Sequence, residues 1–249
     1  MKVSINCPSY KRPVVETLDY LPNCKVWVDG SEFDIYKESN PPGSLVVACS
    51  EGVQGNVCRV RNHILDVEFG NGYDVVVIID DDMKEMGYWE GLEKHRVENF
   101  ERFIIRYSVL AQDWGVNLWG VNVNDDKIVY REYTPFSTTS YVGSPFQAFV
   151  GDGGLRYDER LPLKEDYDMT LQQVMKFGKV LRVNKYYYDV KQSQQTGGCA
   201  TYRNLRREKE QFDLLVKKWG SEIVKRDKGG KGVQGFDYNP IISIPVKGV

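Results

Sequence analysis

The sequence predicts an α/β fold: a single Rossmann-like domain whose mostly parallel central sheet is flanked by helices. Three observations predict it. Strand-like and helix-like runs alternate from the first residues. The most apolar run, Asp74-Val75-Val76-Val77-Ile78-Ile79, is β-branched and almost uninterrupted, as expected of a central strand buried on both faces. That run stops abruptly at Asp80-Asp81-Asp82, which puts three carboxylates at the C-terminal edge of a sheet, where open α/β folds bind ligands. A chain of 249 residues with 41% hydrophobic and 27% charged residues is long enough to bury one sizeable core.

The elements follow in order. Lys2 to Asn6 reads as a strand that runs into Pro8, and Pro13 opens a helix-like stretch through Val14, Val15 and Leu18. Lys25 to Val28 is a second strand, closed by Asp29-Gly30, and Ser44 to Ala48 a third, after Pro41-Pro42-Gly43. Val57, Val60, Ile64 and Val67 have the three-and-four spacing of a helix with one buried stripe. Phe100 to Leu110 predicts a helix, Leu118 to Val123 a strand, and Pro145 to Val150 a strand ending at Gly151-Asp152-Gly153-Gly154. Leu171 to Lys176 predicts a helix and Lys179 to Val183 a strand after Gly178. Gln192 to Gly198 is polar and ends in glycine, as in a mobile loop. Arg203 to Val224 predicts a helix, and the glycine-rich stretch from Lys228 a flexible lead into Tyr238-Asn239-Pro240. The expected division is a catalytic part over 1–200 and a basic helical extension over 201–249, packed on the same domain.

Composition narrows the function classes. No run approaches the ~20 apolar residues of a membrane helix, and the N-terminus lacks the apolar segment of a signal peptide, so a cytoplasmic protein without membrane contact is expected. Cys7, Cys24, Cys49, Cys58 and Cys199 form no C-x-x-C pair, which predicts reduced, mostly buried thiols and neither disulfides nor a zinc site. The net charge is -2, yet Ala200 to Gly232 holds ten Lys/Arg against five Asp/Glu. A basic tail on an acidic body suits a polyanionic acceptor, as does an ordinary solvated helix.

Two acidic clusters carry chemistry. Three adjacent carboxylates repel one another unless a cation sits among them, and Mg²⁺ or Mn²⁺ takes one or two protein carboxylates while leaving places for phosphate and water. Alternation along a strand lets Asp80 and Asp82 face one site and Asp81 another. The second cluster, Lys164-Glu165-Asp166-Tyr167-Asp168, starts a helix-like stretch; it reads either as carboxylates completing a helix N-terminus or as a base for removing an acceptor's proton. His63 reads as a structural histidine on a helix.

The strand ending in Asp80-Asp81-Asp82 resembles the GT-A glycosyltransferases, whose Asp-x-Asp motif grips a metal and the diphosphate of a sugar donor. Pro8-Ser9-Tyr10 with Arg12-Pro13 is similar to that family's nucleoside-contacting motif. Asp29 matches its base-contacting acidic residue, and Arg59, Arg61 and Asn62 fall in the segment that places basic or amide groups near the nucleotide. The resemblance is strongest to the phage-encoded TET-associated glycosyltransferases, a group proposed to add sugars to hydroxymethylated pyrimidines in DNA. It rests on the Pro-Ser-Tyr-Lys-Arg-Pro opening, Asp-Asp-Asp-Met, Lys-Glu-Asp-Tyr-Asp-Met and the glycine-rich stretch near the end.

What the resemblance implies is a nucleotide-sugar donor, with a UDP-sugar favoured, and Mn²⁺ or Mg²⁺ held by Asp80 and Asp82. Asp80 and Asp81 would lie at the donor. Asp166 would be the base of an inverting transfer, with Glu165 positioning the acceptor, which would be DNA carrying hydroxymethylated bases in a host cytoplasm. The family's usual third metal ligand, a histidine, has no counterpart; Asp189, Gln192 or Gln194 stands closest. Under this reading Arg203 to Lys231 contacts phosphates, and Tyr186, Tyr187 and Tyr188 either stack on an extruded base or pack the core. The alternatives are a GT-A enzyme acting on a glycan or protein acceptor and a metal-dependent nucleotidyltransferase, the latter disfavoured because no Lys-bearing, glycine-rich triphosphate loop follows the first strand.

Overall fold

The computed structural model describes residues 1–123, 125–126, 130–190, 197–227 and 238–244. Six strands open the chain with three helices among them: β1 (Val3–Pro8), α1 (Thr17–Tyr20), β2 (Lys25–Asp29), α2 (Phe33–Ser39), β3 (Leu45–Cys49), α3 (Val57–Gly70), β4 (Val75–Ile79), β5 (Met83–Glu90) and β6 (Glu93–Arg96). There follow α4 (Phe100–Asp113), β7 (Leu118–Asn122), β8 (Phe136–Ser137), β9 (Phe146–Val150), α5 (Glu165–Phe177), β10 (Leu181–Val190), α6 (Leu205–Trp219), β11 (Val224–Arg226) and β12 (Pro240–Ile242).

The central sheet runs β3-β2-β1-β4-β9-β7-β10-β5-β6, with β8 beside β10, and β11 and β12 form a separate pair. The run β3-β2-β1-β4 is parallel, β9 is antiparallel to both β4 and β7, and β10 returns parallel to β7. The C-terminal ends of β1, β2, β3, β4 and β7 therefore lie on one edge, together with the start of β9. All five residues of β4 are buried, because helices cover both faces. One core contains Val75, Val77, Ile79, Phe103 and Trp119; the other contains Val76, Ile78, Ile64, Phe149 and Met169.

Several predicted elements shift. The stretch after Pro13 makes only the single turn of α1, because Asn40 holds the chain ahead of it: its side chain accepts from Val15 N at 2.9 Å and donates to Pro13 O at 2.7 Å. The helix predicted from Leu171 begins at Glu165, and it stops at Gly178, which takes the left-handed conformation at φ 78. The helix predicted to reach Val224 ends at Trp219, and the residues beyond it pair as β11. The hairpin of β5 and β6 has mixed polar and apolar residues on both faces and carries no alternation for sequence to read. Tyr186, Tyr187 and Tyr188 lie inside a strand that runs on to Val190; Tyr186 packs on Phe103 and Tyr107 with centroids 4.7 and 5.3 Å away, while Tyr187 and Tyr188 are buried. They are packing residues, which removes the stacking role considered for them.

The C-terminal segment is tied to α5 by charge. Buried Lys164 donates to buried Glu208, Lys218 bonds Asp158 at 2.9 Å and fully buried Asp168 at 2.8 Å, and Trp219 Nε1 donates to Asp168 at 2.7 Å. Arg203 pairs with Glu208, Arg206 with Glu210 and Lys209 with Asp213. Most cations of α6 are thus spent within the chain, so its composition overstates the charge available to a partner. Gln192, Gln194 and the glycine-rich stretch after Asp227 lie outside the described residues. Four of the five cysteines are buried and all five are free. Among the described residues no helix is long and apolar enough to cross a membrane.

Candidate active site

The acidic run forms a turn immediately beyond β4, so strand alternation does not extend into it. Thr17, buried at the start of α1, holds this turn: its hydroxyl donates to Asp80 O at 2.7 Å and accepts from Met83 N at 2.9 Å. The three carboxylates then meet three different environments. Asp80 accepts from Arg61 Nη2 at 2.9 Å. Asp81 is buried and accepts from Ser9 Oγ at 2.5 Å and from the Arg12 guanidinium, which fastens the Pro8-Ser9-Tyr10 loop to the turn. Among the described residues the one cation within ion-pair distance of Asp82 is Arg12, at 3.7 Å.

The electrostatics follow. Burial, partly offset by Arg12, pushes Asp81 up to about 6. Burial and the charges of Asp80 and Asp81 push Asp82 up to about 7. Asp82 is therefore the carboxylate on which the repulsion of the cluster falls, and an added cation would relieve it most there. Among the described residues no three His, Cys, Asp or Glu side chains converge to hold a metal. Two carboxylates completed by phosphate and water would suit a hard divalent ion such as Mg²⁺ or Mn²⁺, and Asp80 and Asp82 are the pair that would supply them. Asp189 pairs with Lys84 at 3.7 Å and is half-exposed.

Arg61 joins the two acidic clusters. It rises from α3, is 2% exposed, and donates to Asp80 through Nη2 and to Glu165, at the first turn of α5, through Nη1 at 3.0 Å. Burial works against its charge, but Asp80 and Glu165 more than offset that and raise it above its usual range. Its Nε is buried without a hydrogen-bond partner. Burial and the neighbouring Asp166 push Glu165 up to about 8 against the pull of Arg61.

Asp166 sits at the N-terminus of α5, where Oδ2 accepts from the Tyr141 hydroxyl and from Ser144 N at 3.2 Å, and Oδ1 accepts from Tyr167 N at 2.9 Å. Burial and the Asp166 charge push the Tyr141 hydroxyl well above its usual range, so it stays a donor. Tyr141 also stacks on Tyr167, with centroids 4.2 Å apart.

The remaining expected site residues divide. Pro8, Ser9, Tyr10 and Arg12 line the β1 end of the edge. Gly198 N donates to Tyr10 O at 2.7 Å, which lays Gly197 and Gly198 over that loop; a Cβ at Gly197 would come within 2.6 Å of Lys11 O, so only glycine permits the approach. Asp29 ends β2 at the same edge and caps the next turn by accepting from Ser31 N and Oγ at 2.9 and 2.6 Å, which lowers its pKa. Arg59 and Asn62 are engaged within the chain: Arg59 bonds Gly52 O and Glu159, and both ends of the Asn62 amide bond the Tyr157 backbone at 2.9 and 2.7 Å. Successive positions on a helix point in different directions, and only Arg61 faces the carboxylates. His63 packs edge-on against Trp27, as a structural histidine. Tyr141 and Ser144 escaped sequence reading because they lie in an irregular loop with no motif.

The model of a family described as TET-Associated Glycosyltransferase matches residues 24–198. The chain belongs to that family. No curated protein matches it. Among solved structures it is similar to S. aureus TarS 1-349 in complex with UDP-GlcNAc, at 15% identity and a TM-score of 0.54, covering 88% of this chain and 66% of that one. It is also similar to Mycobacterium tuberculosis glucosyl-3-phosphoglycerate synthase in complex with Mn²⁺, UDP and glucosyl-3-phosphoglycerate, at 13% identity and a TM-score of 0.52, covering 99% and 88%. A second complex of that synthase, with Mn²⁺, UDP-glucose and phosphoglyceric acid, matches at 12% identity and a TM-score of 0.51 over 91% and 84%. The chain spans slightly under two thirds of the TarS fragment. The fold is that of the GT-A glycosyltransferases, a mixed sheet of mostly parallel strands flanked by helices.

Proposed function

We propose that the protein is a metal-dependent glycosyltransferase that moves a sugar from a UDP-sugar to a hydroxyl of a hydroxymethylated pyrimidine in DNA, with inversion. The observation that carries the reading is the chain Asp82, Asp80, Arg61, Glu165, Asp166 along one sheet edge, which sets an underneutralised acidic turn beside a helix-borne carboxylate. The family supports sugar transfer, and its description is what points to DNA. The UDP and Mn²⁺ of the similar structures support the choice of donor and ion.

Asp80 and Asp82 would hold the ion, which supplies positive charge to the departing diphosphate. Ser9 and Arg12, pinned by Asp81, shape the nucleoside side, with Tyr10 and Asp29 at its rim. Asp166 is the base. Its Oδ2 is saturated by Tyr141 and Ser144, whereas Oδ1 accepts one bond and keeps a lone pair for the acceptor hydroxyl. That hydroxyl's proton passes to Oδ1 as its oxygen attacks the anomeric carbon and the bond from that carbon to the diphosphate breaks. Glu165, held by Arg61, positions the acceptor. Residues 1–200 form the catalytic part, and the segment from 201 braces α5 from outside.

The test is direct: the full chain is incubated with Mn²⁺, a panel of nucleotide sugars and DNA containing 5-hydroxymethylcytosine. A mass gain of one hexose or N-acetylhexosamine per modified base is expected. Donor hydrolysis without any mass gain on that DNA would move the acceptor to a glycan or protein.

A further inference from the structure

A second cationic feature lies one residue away from the proposed base. Arg182, on β10, is partly buried, and among the described residues it meets no carboxylate. Every other arginine at least partly withdrawn from solvent is paired: Arg12 with Asp81, Arg59 with Glu159, Arg61 with Asp80 and Glu165, and Arg156 with Asp66 and Asp152. Arg182 instead donates Nε to the side chain of Asn184 at 2.9 Å and Nη1 to Tyr141 O at 3.5 Å. A guanidinium carries five donors, so both hydrogens of Nη2 remain unused. Nη2 is not among the buried atoms that lack a partner, so it opens to solvent.

Burial lowers the pKa of Arg182, offset only in part by the Tyr188 hydroxyl, and among the described residues no carboxylate pairs with it. Holding a cation partly out of water without a counter-charge is costly, and the cost is recovered when a ligand brings the anion. Tyr141 fixes the position relative to chemistry: its carbonyl accepts from Arg182 and its hydroxyl donates to Asp166. Arg182 and Asp166 thus lie at the two ends of one tyrosine, so an acceptor whose hydroxyl reaches Asp166 would meet Nη2 with a group one tyrosine length away. A planar guanidinium edge suits the oxygens of a phosphate.

We propose that Arg182 binds an anionic group of the acceptor, a backbone phosphodiester adjoining the modified base. This rests on the DNA acceptor of the preceding section and adds to it the contact that fixes the strand.

The experiment uses the full chain, its UDP-sugar, Mn²⁺ and a short oligodeoxynucleotide with one 5-hydroxymethylcytosine. Arg182→Gln should raise the KM for the oligonucleotide about tenfold or more, since hydrogen bonds to charged groups carry energies of that order, while the donor KM stays within about twofold. Arg182→Lys should restore part of the loss. The slope of log affinity against log salt should fall by about one with Arg182→Gln. A neutral methylphosphonate in place of the adjoining phosphate should reproduce the loss in the wild type and add nothing to Arg182→Gln, a result independent of how well the variant folds. Equal KM values, or losses that simply add, overturn the assignment while the DNA acceptor stands. Donor hydrolysis by the wild type with no transfer to the oligonucleotide overturns the acceptor itself, and this contact with it.

Discussion

The two acidic clusters of the edge are alike in sequence and in charge but differ in how their carboxylates are hydrogen-bonded. At the start of α5, each carboxylate has donors of its own: Asp166 has Tyr141, Ser144 N and Tyr167 N, Asp168 has Lys218 and Trp219, and Glu165 has Arg61. In the turn after β4, Arg61 takes Asp80, and Ser9 with Arg12 takes Asp81, which leaves Asp82 with one guanidinium at 3.7 Å. Each cluster sets three carboxylates against two cations and shares Arg61; they differ in that every carboxylate of the first accepts a side-chain hydrogen bond, whereas among the described residues Asp82 has only the more distant Arg12. Of the six carboxylates Asp82 alone accepts no side-chain hydrogen bond among the described residues, which is where an added cation would act most.

The largest effect that would sharpen this contrast is on chemistry. Asp166→Asn keeps the helix N-terminus supplied with an oxygen and removes the base, so kcat should fall by ~10²–10⁴ with donor binding intact. A kcat within threefold of wild type would return Asp166 to a purely capping role.

The next effect is on binding. Asp82→Ala should lower metal-dependent UDP affinity by roughly a hundredfold, as loss of a metal ligand does, whereas Asp168→Asn should leave that affinity alone. Isothermal titration with Mn²⁺ and UDP measures both, and an unchanged affinity in Asp82→Ala would remove the metal from this turn.

Arg61 is shared by both clusters and serves stability. Arg61→Met would leave two carboxylates without their buried cation at a cost of about 3–5 kcal/mol, read by denaturant unfolding. A loss below about 1 kcal/mol would mean that the clusters are held apart by other contacts.

The pH dependence is shared by the two clusters. Asp82 is raised to about 7 and Glu165 to about 8, so the folded, metal-free protein holds more protons than the unfolded chain between the ordinary carboxylate range and those values. Stability of the metal-free protein should therefore fall as pH rises from about 5 toward 8. A bound ion must displace the proton of Asp82, so apparent Mn²⁺ affinity should drop about tenfold per unit below pH 7. A flat affinity profile from pH 5.5 to 7.5 would place the ion elsewhere.

How much of this the sequence disclosed depends on range. The uninterrupted β-branched run of β4, the helical stripe of α3 and the abrupt stop at Asp80 are local, and they located the sheet edge and the acidic turn. Which side chains answer those carboxylates is not local: Arg61 lies 104 residues from Glu165, and Tyr141 lies 25 from Asp166 in an irregular loop. Arg59, Arg61 and Asn62 were indistinguishable as letters, and only the rotation of α3 about its axis selects Arg61. The same limit hid the neutralisation of α6, where composition counted cations without their partners.

The smallest expected effect tests what α6 is for. Lys164 is next to Glu165, yet its ammonium points to Glu208 of α6, and both side chains are 3% exposed. Removing one partner, as in Glu208→Gln, strands a buried charge and should cost about 3–5 kcal/mol. Replacing both, with Lys164→Met and Glu208→Leu, removes the buried pair and its desolvation together and parts only the more exposed Arg203 from Glu208, so stability should stay within about 1 kcal/mol of wild type. Such a double variant keeps α5 seated on α6, and kcat should then stay within about twofold, because the positions of Glu165 and Asp166 depend on that seating and not on the charges that provide it. A stable double variant with a kcat more than tenfold lower would mean that the field of Lys164 acts on the carboxylates beside it, and α6 would join the active site as a source of charge.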